Sequence, residues 1–158
     1  MIEFIAASAI ATVISGVIVV LMTGVRDVVQ THTTFNQLSG YLDVATTVLR
    51  KDIWEATIAS QTVGGVCPSD WLTLTRTNPP TTVTITYCLD TSDPNNVKLR
   101  RTVDGGAAWN VAQYVAQGGT TAQVAIPLIT MNFRLLRTVN GRPHVRTLNN
   151  VTYLMQRP

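Results

Sequence analysis

Charge is what this chain has least of. Only 13% of its 158 residues are Asp, Glu, Lys or Arg, against 46% hydrophobic residues, and residues 4–25 contain no charged side chain at all. Two cysteines and two histidines, none adjacent in sequence, are too few for a zinc cluster. No proline precedes Pro68, so nothing in the first third of the chain forces a helix to break. Phosphate-binding glycine loops, HExxH, GxSxG and CxxC are all missing, as are internal repeats and low-complexity tracts. These absences argue against an enzyme and imply neither a cofactor nor a metal.

What is present begins at the N-terminus. As a helix, the 22 residues 4–25 would span roughly 33 Å, enough to cross the hydrocarbon core of a bilayer. Glu3 stands just ahead of that run, and a carboxylate there is costly in lipid unless paired. The α-amino group of Met1 is the available partner. The segment has no basic leader and is too long for an ordinary signal-peptide core, so a retained anchor is expected. With no basic residue ahead of Glu3, Met1 is expected to be the first residue of a processed chain.

The helical pattern continues past the apolar run. Val25, Val28, Val29, His32, Phe35, Leu38, Leu42, Ala45, Leu49, Ile53 and Ala56 recur at three- and four-residue steps. One helix over about residues 2–59 is expected, apolar all round at first and then amphipathic, its stripe packed on a domain. Ser15, Gly16 and Gly24 are its weak points, since a glycine costs about 1 kcal/mol relative to alanine in a helix. Gly64 and Gly65 mark the turn that follows.

Beyond Cys67 the pattern changes to period two. Strands are expected over residues 71–76, 82–88 and 97–103, with a weaker one over 109–115, and turns at Asn78-Pro79-Pro80, Asp104-Gly105-Gly106 and Gly118-Gly119. One or two strands occupy residues 124–136, split near Pro127. Asn140-Gly141 reads as a hairpin turn between 132–138 and 144–147, and residues 151–155 as a last strand. The fold class is therefore α+β: a long N-terminal helix packed on an antiparallel, meander-like sheet. Its parts are a hydrophobic helix over 1–25, an amphipathic continuation over 26–59 and a β-rich head over 60–158.

Cys67 and Cys88 fit one disulfide closing a loop of about 20 residues in an oxidising, extracytoplasmic setting, two buried thiols being the alternative. His32 reads as a surface or interface histidine, and His144 lies in a strand with no nucleophile motif nearby. Asp52 and Glu55 read as a solvated helix face beside Arg50 and Lys51. Asp90, Asp93, Asn95 and Asn96 resemble a calcium loop in spacing but lack its glycine and final glutamate. Asn150-Val151-Thr152 is a formal N-glycosylation sequon. Residues 1–60 carry a net charge of −2 and residues 61–158 a net +5, so the head could attract DNA or an anionic surface.

Ile2-Glu3-Phe4, the apolar run behind it, the continuous amphipathic helix and the two-cysteine β domain together resemble a processed type IV pilin or type II secretion pseudopilin. Residues 37–56 and Leu99-Arg100-Arg101 look like the J-type pseudopilins and minor pilins. Glu3 lies two places nearer the start than the glutamate of that family. The resemblance implies removal of a leader by a membrane peptidase, methylation of the new N-terminus, storage in the cytoplasmic membrane and assembly by an inner-membrane machinery into an extracellular homopolymer. Met1, Glu3 and Phe4 would then be assembly residues, with Glu3 neutralising a neighbour's N-terminal amine. Relatives lose helix locally in the filament core, and Thr12, Ser15 and Gly16 mark where that is expected here. The alternatives are an archaeal-type pilin with an immunoglobulin-like head, or a single-span anchored extracytoplasmic binding protein.

Overall fold

The computed structural model describes residues 2–62, 65–67, 70–78 and 80–155. Met1, Gly64 and Pro79, which figure in the expectations above, lie outside the described residues. One helix, α1 (Ile2–Glu55), precedes eight strands: β1 (Ile58–Gln61), β2 (Leu72–Asn78), β3 (Thr81–Asp90), β4 (Lys98–Val103), β5 (Trp109–Ala112), β6 (Thr121–Ala125), β7 (Leu128–Val139) and β8 (Arg142–Leu154). A short 3₁₀ turn over Gln117–Gly119 leads into β6. The architecture is α+β, as expected.

The helix stops earlier than its periodicity suggested. Ala56 N–H bonds back only three residues, to Ile53 O at 3.2 Å, and Thr57 N–H turns away to Thr75 O at 2.8 Å. The Thr57 hydroxyl donates to the same carbonyl at 3.0 Å. The β-branched pair Thr57-Ile58 thus leads into a strand rather than another helical turn.

The strands form two antiparallel meanders rather than one sheet, in the orders β1-β2-β3-β4-β5 and β6-β7-β8. Each follows chain order. The two are stitched at both ends: Val115 bridges Leu135 on β7, and Val124 N–H donates to the Gln61 side chain at 2.9 Å. The strand expected over 124–136 is divided at the cis Ile126–Pro127 bond into β6 and β7. The two segments expected over 144–147 and 151–155 are one strand, β8, with an irregularity opposite Met131 and Phe133. At the β7–β8 turn, Asn140 and Gly141 both have positive φ (51° and 72°), the backbone that this dipeptide favours.

The core lies between α1 and the two sheets. Leu38, Ala45, Leu49, Ile53 and Ala56 supply the helix side, meeting Leu72, Leu74, Tyr87, Leu99, Ile129, Phe133 and Leu135. Burial of the helix starts at Thr34. Val25, Val28, Val29, His32 and Phe35, expected on the packed stripe, are exposed in the single subunit. The head reaches only as far down the helix as the β7–β8 turn, whose Asn140 amide donates to Asp27 Oδ1 at 3.1 Å and Gln30 Oε1 at 2.8 Å.

Candidate assembly surface

Residues 3–25 of α1 are exposed along their whole length in the subunit. Its apolar window is long enough to cross a membrane, and none of it is buried. Phe4 is 80% exposed, and the consecutive residues Val17, Ile18, Val19, Val20 and Leu21, which go right round the helix axis, are all exposed. Such a surface needs a second apolar environment, since large exposed apolar areas on a monomer mark membrane or partner contact.

Three of its hydroxyls bond within the helix. The Ser8 hydroxyl donates to Ile5 O at 2.9 Å, Thr12 to Ser8 O at 2.8 Å, and Thr23 to Val20 O at 2.9 Å. These bonds to the preceding turn leave no hydroxyl donor idle at those positions, which suits a segment moving between apolar surroundings. Added methyl groups at Gly16, Gly24 and Gly40 would meet no atom within 4 Å in the subunit. No intramolecular packing therefore explains these helix glycines. In the single chain α1 runs unbroken through Thr12, Ser15 and Gly16. Glu3 lies in its first turn, where a carboxylate faces favourable partial charge from the backbone N–H groups.

The second half of α1 is gripped by polar contacts as well as by the core. Asp52 is only 4% exposed. Arg101 on β4 holds it through Nε to Oδ2 at 2.6 Å and Nη2 to Oδ1 at 3.0 Å, while the Tyr87 hydroxyl on β3 donates to Oδ2. Trp109 lies under the guanidinium, 5.8 Å from ring centre to Cζ. Burial pushes the Tyr87 hydroxyl far above its ordinary value, and the charge of Asp52 and the hydrogen bond to it add to the shift. Hydrogen bonding to Asp52 raises Arg101 as well. Glu55 pairs with Arg76 on β2. The solvated-face reading of Asp52 and Glu55 is thus corrected: Asp52 is buried beside Ile53, Glu55 is half-buried, and each pairs with an arginine of the sheet.

Nearer the apolar segment, Arg137 donates to Gln37 and covers the Tyr114 ring at 4.7 Å. Arg146 lies 3.4 Å from the Phe35 ring centre and donates to Ser39 Oγ at 3.1 Å. Much of the head's positive charge is therefore spent in fastening the helix. The expectation of a free polycationic face narrows to a few exposed side chains, among them Arg134 and Arg142.

Cys67 and Cys88 form a disulfide with Cα atoms 5.2 Å apart, tying the loop ahead of β2 to β3. Cys67 N–H also donates to Leu89 O at 2.9 Å. In the Asp-rich loop, Asp90 accepts from Ser92 N–H at 3.1 Å and pairs with Arg100 at 3.2 Å, and Asp93 accepts from Asn95 N–H at 2.9 Å. The Ser92 hydrogen bonds hold the Asp90 carboxyl below its usual range. Those side chains serve turn formation, and no group of three or more candidate metal ligands converges among the described residues. His32 and His144 stand apart on α1 and β8. Asn150 is exposed at the β8 irregularity with φ 52°, and its N–H donates to Asn132 Oδ1 at 2.8 Å.

No family model, curated protein or solved structure matches the chain. The fold therefore defines a class by geometry alone: an α+β head carried on a single helix of membrane-crossing length.

Proposed function

We propose that this protein is the structural subunit of a type IV pilus-like extracellular filament, stored in the cytoplasmic membrane before assembly, with no catalytic role. The observation that carries this reading is the division of α1. Its second half is built into the head from Thr34 to Ala56, while its first half presents uncovered apolar side chains all round. An anchor alone needs one lipid-facing helix. A fibre needs that helix to be a rigid continuation of the head, and the Asp52, Gln37, Ser39 and Asp27 contacts supply the rigidity.

In the fibre the apolar segments of many copies pack together, and Val25, Val28 and Val29 extend that contact below the head. Glu3 pairs with the N-terminal amine of a neighbour and sets the axial register, since an apolar bundle does not tolerate an unpaired carboxylate. Thr12, Ser15 and Gly16 are where helix is lost on assembly, Gly16 having no packing role in the single subunit. Retention of helix through these residues in a fibre reconstruction would overturn that part of the proposal. The archaeal-type alternative calls for a sandwich with crossing connections, and the chain-order meanders favour the first reading.

The test is Glu3→Ala. Filaments disappear in electron micrographs while the subunit stays in the membrane at its normal level. Unchanged filaments would sink the register role. A chain that forms no fibres in its native form, and remains a membrane monomer, would instead favour the single-span anchored binding protein. Mass spectrometry of the N-terminus in the same preparation checks processing and methylation.

A further inference from the structure

One arginine of the head is held in place without an internal acceptor. Arg134 alternates on β7 with the buried Phe133 and Leu135, so it stands on the sheet face away from α1. Its main chain is fastened on both sides: Arg134 O accepts from Ala116 N–H at 2.8 Å, and Arg134 N–H donates to Thr120 Oγ1 at 3.2 Å. Its aliphatic stem runs under the Gly118-Gly119 turn so closely that a Cβ at Gly119 would fall 2.6 Å from Arg134 Cδ. The backbone and stem of Arg134 are thereby positioned. Arg76, Arg100, Arg101, Arg137 and Arg146 each meet a carboxylate, an amide, a hydroxyl or a ring. Among the described residues no such partner faces the guanidinium of Arg134.

The chain segment over this arginine is bent at Tyr114, an aromatic residue at φ 60°. Side chains with a Cβ rarely adopt that backbone, and surrounding contacts must hold it there. Asn96 Oδ1 accepts from Tyr114 N–H at 3.2 Å, Leu136 N–H donates to Tyr114 O at 2.7 Å, and the Tyr41 ring lies 6.3 Å away. The bend opens a cleft of about 380 Å³ between the turn at Pro94 and Asn95 and the turn at Gln117 to Gly119. Arg134 lines it together with Asn95 and Gln117, and no Asp or Glu does. Its size lies at the small end of ligand pockets, suited to one sugar ring.

We propose that this cleft binds a carboxylate-bearing sugar, a uronic-acid type of ring, with Arg134 taking the carboxylate in two parallel hydrogen bonds and the amides of Asn95 and Gln117 taking ring hydroxyls. One guanidinium with no competing acid matches a single carboxylate, whose planar oxygens fit its fork. Amides, which both donate and accept, match hydroxyls. The site lies within one subunit, so it does not depend on filament assembly.

The full chain in detergent micelles is titrated by calorimetry with glucuronate, glucose and inorganic phosphate. Glucuronate binds at least tenfold more tightly than glucose, and phosphate at equal concentration does not displace it. Arg134→Gln removes the preference for glucuronate at an unchanged thermal midpoint. Asn95→Ala, on an exposed turn, weakens glucuronate and glucose alike and serves if the arginine variant misfolds. Equal binding of glucuronate and glucose, no binding of glucuronate, displacement by phosphate, a folded Arg134→Gln variant that still discriminates, or an Asn95→Ala variant that binds like the native chain would each overturn the proposal.

Discussion

Arg101 and Asp52 face each other across the junction of helix and sheet with two parallel hydrogen bonds, 2.6 and 3.0 Å long. The Asp52 side chain is 5% exposed and the Arg101 side chain 17%. Removing one member strands the other. Arg101→Ala is expected to cost about 3–5 kcal/mol of unfolding free energy, as for other buried pairs broken on one side. Replacing both by apolar residues, Asp52→Leu with Arg101→Met, costs less than Arg101→Ala alone. Denaturant unfolding of the full chain in micelles, followed by circular dichroism of the sheets, measures both. A double variant less stable than the single one would show that the pair contributes more than mutual neutralisation.

Tyr87 makes stability fall at alkaline pH. Its folded-state value is raised above the ordinary 10.0, first by burial and then by Asp52. Below 10.0 the hydroxyl is protonated in both the folded and the unfolded chain, so its contribution is fully present. Above that pH the unfolded chain gives up the proton while the folded chain keeps it, and stability declines. Tyr87→Phe should flatten that decline, leaving the smaller contribution of Tyr153, which burial also raises. Unfolding free energies across the alkaline range, native against Tyr87→Phe, decide it. An identical slope would exclude Tyr87 as the source.

The elements that sequence periodicity could reach are those stabilised locally. Leu38, Ala45, Leu49, Ile53 and Ala56 follow three- and four-residue steps and are buried. Asn140-Gly141 forms its turn because the dipeptide itself tolerates positive φ. What escaped depends on partners far away in the chain. Asp52 sits between Lys51 and Ile53 and looks like any polar helix residue, and its partner Arg101 lies 49 residues on. The early end of α1 had a weak signal in the β-branched Thr57 and Ile58, but the periodicity carried past it. Exposure of Val25, Val28 and Val29 depends on where the β7–β8 turn touches the helix, which no local pattern encodes. Nor does anything in the sequence announce the bend at Tyr114, although odd–even alternation on β7 does separate Arg134 from Phe133 and Leu135.

The disulfide closes a loop with a sequence separation of 21. Restricting the unfolded chain over that loop is worth roughly 3 kcal/mol in the chain-entropy model. Cys67→Ser with Cys88→Ser is expected to lower stability by about that amount, and adding reductant to the native chain should reproduce the loss without affecting the variant. Unfolding curves with and without reductant measure this. Native stability that does not respond to full reduction, verified by thiol counting, would show that the loop is held by β2 and β3 alone.

The Asn140 amide is the lowest fastening between head and helix, donating to both Asp27 and Gln30. Asn140→Asp keeps the shape and tolerates the φ of 51°, but it turns the donor into an acceptor and sets a carboxylate opposite Asp27. Asn140→Gly keeps the turn and loses only the hydrogen bonds. Both should loosen the β7–β8 tip, by about 1 kcal/mol for the lost bonds, and the aspartate variant by more at low salt. The extra loss in the aspartate variant should shrink as ionic strength rises, because repulsion between exposed charges is screened. Amide exchange at Thr138, Val139 and Arg142 reads the opening of the tip at each salt concentration. Equal, salt-independent protection in both variants would show that the tip docks through backbone shape and not through the Asn140 side chain.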